Sequence, residues 1–171
     1  MLALFLALAT QTAPAAGAAA PAPYHDPRLL RAVTEAIRDE IGHGISATKA
    51  KDMDQYMEQV PDDYRILEDD GTITDKAALR AKQAQAWAII RRTNALTIDV
   101  TKVALGCAGE CATVWTDQRW DRQMLGKDGV SEYNVVTTQK HIETWKLAGS
   151  RWVNSEIKEL GGTVMVDGKR W

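Results

Sequence analysis

Apolar residues recur at Leu30, Val33, Ile37, Ile41 and Ile45, spacings of three and four that draw one stripe along a helix. Asp26 and Pro27 start it: an aspartate accepts from free amides at a helix N-terminus, and proline's fixed φ suits the first turn. Gly42 and Gly44 weaken the last turns by about 1 kcal/mol each relative to alanine, and mark either a bend or a close approach of another element. His43 lies opposite the Ile37/Ile41 stripe and is expected in solvent. Asp52 with Gln55 resembles a capping box for a short second helix whose face is Met53, Tyr56, Met57 and Val60, stopped by Pro61. An extended segment runs to a turn at Asp70-Gly71, and Thr74 is expected to cap a third helix from about Asp75 to Arg92. Leu79, Gln83, Ala86, Trp87 and Ile90 form its inward face.

From Ala95 the texture becomes extended. The segments "LTIDVTKVALGC", "CATVWTDQRWDRQML", "SEYNVVTTQKHIETWKLA" and "RWVNSEIKEL" are rich in Thr, Val, Ile and Trp, and the turns "AGE", "GKDG" and "GS" separate them. Four long antiparallel strands follow. Helices first and a meander later predict an α+β domain in which three N-terminal helices cover one face of a curved sheet. The tail, 163–171, adds a short edge strand or stays loose.

The 171 residues suit one domain, and the 45% hydrophobic content is raised by the leucine-rich and then Ala/Pro-rich start of the chain. Leu2 to Leu8 is too short to span a bilayer but fits a signal-peptide core, with Ala16-Gly17-Ala18 or Ala18 to Ala20 as cleavage sites, although no Lys or Arg precedes the run. This predicts a signal peptide over 1–20, a linker over 21–25, a folded domain over 26–162 and an exported, periplasmic or secreted protein without stable membrane insertion. A net charge of -2 with scattered basic residues gives no electrostatic footprint for nucleic acid. Glycine-rich phosphate loops, G-x-S-x-G elbows, H-E-x-x-H pairs and EF-hand loops are absent from the sequence. No metal or other cofactor is expected.

Three segments together carry a family resemblance: "ATKAKDMDQYM" at the junction of the first two helices, "DDYRILEDDGTITDKAAL" through the extended turn into the third, and "TWKLAGSRW" at the last hairpin. With this order of elements the chain resembles the nuclear transport factor 2-like superfamily, and more narrowly its SnoaL-like and ketosteroid-isomerase-like domains. The resemblance implies a cone-shaped, cystatin-like fold and a central pocket. It extends to isomerases, cyclases, epoxide hydrolases and dehydratases as well as to domains without a catalytic role, so function must be read from the site. Thr48 stands where such domains carry an aromatic, which puts a pocket contact at that position in question.

On the third long strand His141, Glu143 and Trp145 alternate onto one face. A two-residue Gly149-Ser150 turn would set Glu143 opposite Glu156 and Trp145 opposite Asn154, facing carboxylates that raise a pKa; a three-residue turn would set Glu143 opposite Ser155 and Trp145 opposite Val153. Glu143, Glu156 or Asp99 is a candidate base, and His141, Tyr56 or Tyr64 a candidate donor, for acid-base chemistry on a bound molecule. Gln83, Trp87, Trp120 and Asn154 complete the candidate ligand contacts, while Trp145 and Trp152 read as hairpin core. Asp117, Arg119 and Asp121 read as a solvated face with cross-strand ion pairs. Cys107 and Cys111 flank a three-residue turn and suggest a disulfide in an oxidising compartment. The leading reading is a small-molecule binding cone. The rivals are a cofactor-independent isomerase, cyclase or hydrolase in the same pocket, and a homodimer or interaction module using the open sheet face around Trp115.

Overall fold

A computed structural model describes residues 26–68 and 70–170. The expected leader and linker, 1–25, lie outside the described residues. Helix α1 spans Pro27–Ala50, its N-cap Asp26 accepting from the amides of Arg28 and Leu29. Val33, Ile37 and Ile41 are buried as expected, but Leu30 points outward and Leu29 packs on the core in its place. Gly44 is a close approach: a Cβ there would sit 2.9 Å from Oε1 of Gln59. Helix α2, Met53–Met57, is capped by Asp52, which accepts from the Gln55 amide.

Strands β1, Arg65–Leu67, and β2, Ile73–Asp75, form a small hairpin around the expected turn. The cap of α3, Lys76–Ile89, is Asp75, which accepts from the Ala78 amide. Thr74 is instead a buried β2 residue donating to Glu68. The helix also ends earlier than its apolar pattern suggested, because the chain turns extended at Ile90 and continues as a strand. Its predicted inward side, Leu79, Gln83, Ala86, Trp87 and Ile90, is the side turned away from solvent.

Four long strands follow: β3 (Ile90–Gly106), β4 (Cys111–Leu125), β5 (Glu132–Ala148) and β6 (Arg151–Val166). A short β7, Lys169–Arg170, pairs back on β6, so the tail is strand. The sheet order is β2-β1-β6-β5-β4-β3, antiparallel except that β1 runs parallel to β6. Register shifts recur along β3 against β4 and along β6 against β5, and each such insertion bends and twists a strand. The result is a curved sheet with helices on one face.

Two apolar clusters hold the layers together. One joins Val33, Ile37 and Ile41 of α1 to Leu105, Ala112, Val114, Trp145 and Trp152; the other joins Met57 and Val60 to Tyr64 and Leu79. Polar clamps tie the helices to the sheet. Arg151, beside the last turn, grips Glu40 of α1 with Nε and Nη2 at 3.1 and 2.8 Å, and this bond holds the Glu40 carboxyl below its usual range. Lys51, left-handed at φ 55°, donates Nζ to the carbonyls of Trp87 and Ile90 where α3 becomes β3. Cys107 and Cys111 form the expected disulfide, Cα atoms 5.3 Å apart.

Gly162 faces the backbone of β5 so closely that a Cβ would lie 1.9 Å from the Thr138 carbonyl oxygen. Gly162→Ala is therefore expected to destabilise the fold by about 3 kcal/mol, the upper range for overpacking. Gly42→Ala, with nothing within 4 Å of its Cβ, should stabilise by roughly 0.5–1 kcal/mol. Urea unfolding of the two variants beside the parent checks both; equal midpoints for Gly162→Ala and the parent would contradict the close approach.

Candidate functional site

The helices and the concave sheet face enclose a cavity of about 180 Å³. Its apolar wall includes Ile41, Leu96, Ile98, Trp120 and Ile157, and its polar groups include Tyr56, Tyr64, Gln83, His141, Glu143 and Asn154. Thr48 lines it too, so the contact in question at the helix junction is made, by a threonine.

The inner end is organised around Glu143, only 4% exposed. Its Oε1 accepts from Oγ1 of Thr116 on β4 at 2.6 Å, while Oε2 accepts from Trp145 Nε1 on β5 and Asn154 Nδ2 on β6, both at 2.8 Å. Burial raises its pKa above the usual 4.5, and the bonds from Thr116 and Trp145 act against that rise. His141 sits one strand repeat away, 7% exposed. Its Nδ1 is 4.0 Å from Glu143 and its Nε2 3.9 Å from Glu159, too long for hydrogen bonds, and Nε2 has no hydrogen-bond partner among the described residues. Burial pulls the imidazole pKa below 6.5, with Glu68 pulling the other way, so the ring is neutral at pH 7. Oδ1 of Asn154 is likewise buried, with no hydrogen-bond partner among the described residues. Burial pushes the Tyr56 phenol up to about 12 and Tyr64 well above its usual value, keeping both as hydroxyl donors.

The hairpin explains why this carboxylate is isolated. Gly149-Ser150 is a two-residue turn, and Trp145 pairs with Asn154 as that turn requires. An extra β6 residue, Ser155, then shifts the register, pairing Thr144 with Glu156 and Glu143 with Ile157. The facing-carboxylate arrangement is thus overturned, as is the three-residue alternative. Glu156 is exposed outside the cavity, since a sheet avoids placing like charges opposite each other in a dry interior.

Asp99 also lies outside, exposed opposite Asp117 on the far face of the sheet. Lys140 reaches Asp117 at 3.5 Å and Arg119 reaches Asp121 at 3.4 Å there, a solvated face with ion pairs. Trp87 is buried behind the wall, with Tyr56 meeting it edge to face at 5.7 Å. Thr116, Gln118, Gln59, Leu96 and Ile98 were not singled out from sequence. Thr116 and Gln118 share alternation with Trp120 on β4, the signal that would have found them.

No family model and no curated protein matches the sequence. Solved structures do. A scytalone dehydratase-like protein from Novosphingobium aromaticivorans superposes with TM-score 0.68 at 8% identity, covering 81% of this chain and 91% of that one. A hexachlorocyclohexane dehydrochlorinase, LinA type 2, gives 0.64 at 8% identity over 82% and 93%. A nuclear transport factor 2-like protein from Cytophaga hutchinsonii gives 0.59 at 13% identity over 74% and 95%. At these identities the likeness is one of fold. The chain has the α+β cone fold of these nuclear transport factor 2-like and cystatin-like structures, the fold that the resemblance implied.

Glu143 has a directional pH signature. An acid whose pKa is raised by folding binds its proton more tightly in the native state, so its contribution to stability falls as pH rises from about 4.5 through the raised value. His141, depressed by folding, acts oppositely below 6.5, which makes a difference measurement necessary. Glu143→Gln can accept from Trp145 and Asn154 through its oxygen and donate to Thr116 through its amide. Relative to the parent it should gain stability as pH rises from 4.5, at no more than about 1.4 kcal/mol per pH unit. Parallel denaturation curves from pH 4 to 8 check this; a constant difference would contradict the buried titrating acid.

Proposed function

We propose that this chain binds a small, partly apolar molecule in its cone, with a hydrogen-bonding group of that molecule at His141 and Asn154. The observation that carries the reading is the pairing of apolar walls with two uncommitted buried polar atoms, His141 Nε2 and Asn154 Oδ1. A buried polar group without a partner is costly, and a ligand hydroxyl, amide or carbonyl offsets that cost. The names of two fold neighbours, a dehydratase and a dehydrochlorinase, describe small-molecule chemistry in those proteins. The rival interaction surface has less support, because Lys102 covers the Trp115 ring at 4.4 Å and the surrounding face carries ion pairs.

A second reading, proton transfer, is favoured by the neutral imidazole beside a buried carboxylate. His141 would take a proton from an acidic C–H of the bound molecule, Glu143 would stabilise the imidazolium 4.0 Å away, and Tyr56 or Tyr64 would donate to the developing oxyanion. Export is part of the proposal as well. The disulfide and the leucine-rich start of the sequence support it.

Native mass spectrometry of protein purified from its host, set against the denatured mass, tests binding and export together. The expected result is a shortened chain, two hydrogens lighter, carrying a mass that leaves on denaturation. An empty cone that also gains no thermal stability from a panel of small carbonyl and hydroxyl compounds would overturn the binding reading. His141→Asn keeps polar atoms in the wall but removes the base, so proton transfer predicts retained binding of the identified molecule and loss of its conversion by at least about a hundredfold. Unchanged conversion would remove His141 from the chemistry.

A further inference from the structure

Arg122 is a cation with no ion-pair partner among the described residues. It lies on β4 in phase with Trp120 and Gln118, two cavity residues, so it follows them along the same concave face. Its guanidinium carbon stacks over the Trp120 ring at 4.3 Å from the centroid, while Trp120 itself is part of the cavity wall. One edge of the fork is committed: Nη1 donates to the Trp120 carbonyl at 3.3 Å and to Thr137 Oγ1 at 3.0 Å. Nε is buried with no hydrogen-bond partner, and among the described residues no carboxylate pairs with the group.

The neighbouring acids are engaged elsewhere. Asp121 accepts from Asn94 and faces Arg119, and Glu132 pairs with Arg91 at 3.4 Å. Burial lowers the pKa of Arg122 with no counter-charge restoring it. A desolvated guanidinium normally meets a carboxylate or phosphate, because its remaining parallel N–H groups match two oxygens of one oxyanion.

We infer that Arg122 receives the anionic end of the molecule bound in the cone, so that the ligand class is a small acid with an apolar body. This inference rests on the binding reading above. The register supplies the scale. His141 pairs with Thr116, and Trp120 stands four residues further along β4, roughly 13 Å at about 3.3 Å per residue. An elongated molecule then lies with its acid against Arg122, its body on Trp120, Leu96 and Ile98, and its other polar group toward His141.

The test uses a matched pair of probes that carry only the acid end and the apolar body, 3-phenylpropanoate and its neutral amide, 3-phenylpropanamide. Binding to the intact chain is read from the tryptophan indole N–H signals by NMR. The parent is expected to bind the acid about tenfold to a hundredfold more tightly than the amide, the range of one charge-assisted bond. Arg122→Met, which keeps an apolar stem on Trp120, should bring the acid to the level of the amide. Arg122→Lys should keep part of the preference. Equal binding of acid and amide by the parent overturns the anion site while leaving the cone reading in place. Acid preference that survives in Arg122→Met overturns it equally. Failure of both probes to bind the parent overturns the inference together with the reading on which it rests. The parent comparison does not depend on either variant folding.

Discussion

The bond network around the Glu143 carboxylate is the constraint on which the inner end of the cone depends. Three donors from three adjacent strands, Thr116, Trp145 and Asn154, converge on two oxygens in a nearly dry interior. A carboxylate is costly to bury alone, and it is held here because its acceptor sites are filled from fixed directions. The same contacts fix the Trp145 ring, which belongs both to the main apolar cluster and to the cavity wall. Core packing and pocket shape are therefore set by one buried acid.

That arrangement also divides the labour among the polar residues. Glu143 has committed most of its acceptor capacity to the protein, so it serves to set the field and hold the wall. His141, beside it, keeps Nε2 uncommitted, and Asn154 keeps Oδ1. The residues with spare hydrogen-bonding capacity are those a guest molecule can engage. The tyrosines add hydroxyls whose protons burial makes hard to remove. The chamber consequently offers both donors and acceptors between apolar walls, a combination that orients a molecule as well as enclosing it.

Much of this was legible in the sequence because it is periodic. The stripe of α1, the inward side of α3 and the alternation His141, Glu143, Trp145 all follow from residue spacing, whereas the residues around Gly149-Ser150 left a two-residue and a three-residue turn both open. The position of Glu156 was not legible. A bulge adds one residue without a strong compositional mark, and Ser155, which donates Oγ to the Thr144 carbonyl, looks like any strand serine. Asp99 and Trp87 failed for a different reason. Alternation says which residues share a face, but the first inward residue of β3 depends on where its bulges fall, and a helix face can turn its largest side chain behind the wall instead of into it. The disulfide was legible as a spacing, since a three-residue turn leaves its flanking cysteines within reach.

The two insertions in β6 have a joint consequence. Pairing sums change once at Ser155 and again across Leu160-Gly161, each time with the additional residue on β6. Because a pleat repeats every two residues, the first insertion inverts which side chains face inward and the second restores the original phase. The segment between them, Glu156 to Glu159, is therefore a short inverted cassette whose parity is independent of the strand on either side. Deleting a single residue from β6 would turn over everything beyond it, whereas removing both additions would preserve the ends of the strand and invert only the cassette. With both removed, Ile157 would leave the lining in favour of its neighbours of opposite parity, Glu156 and Lys158, so the chemistry of the chamber is set by strand length as well as by residue identity.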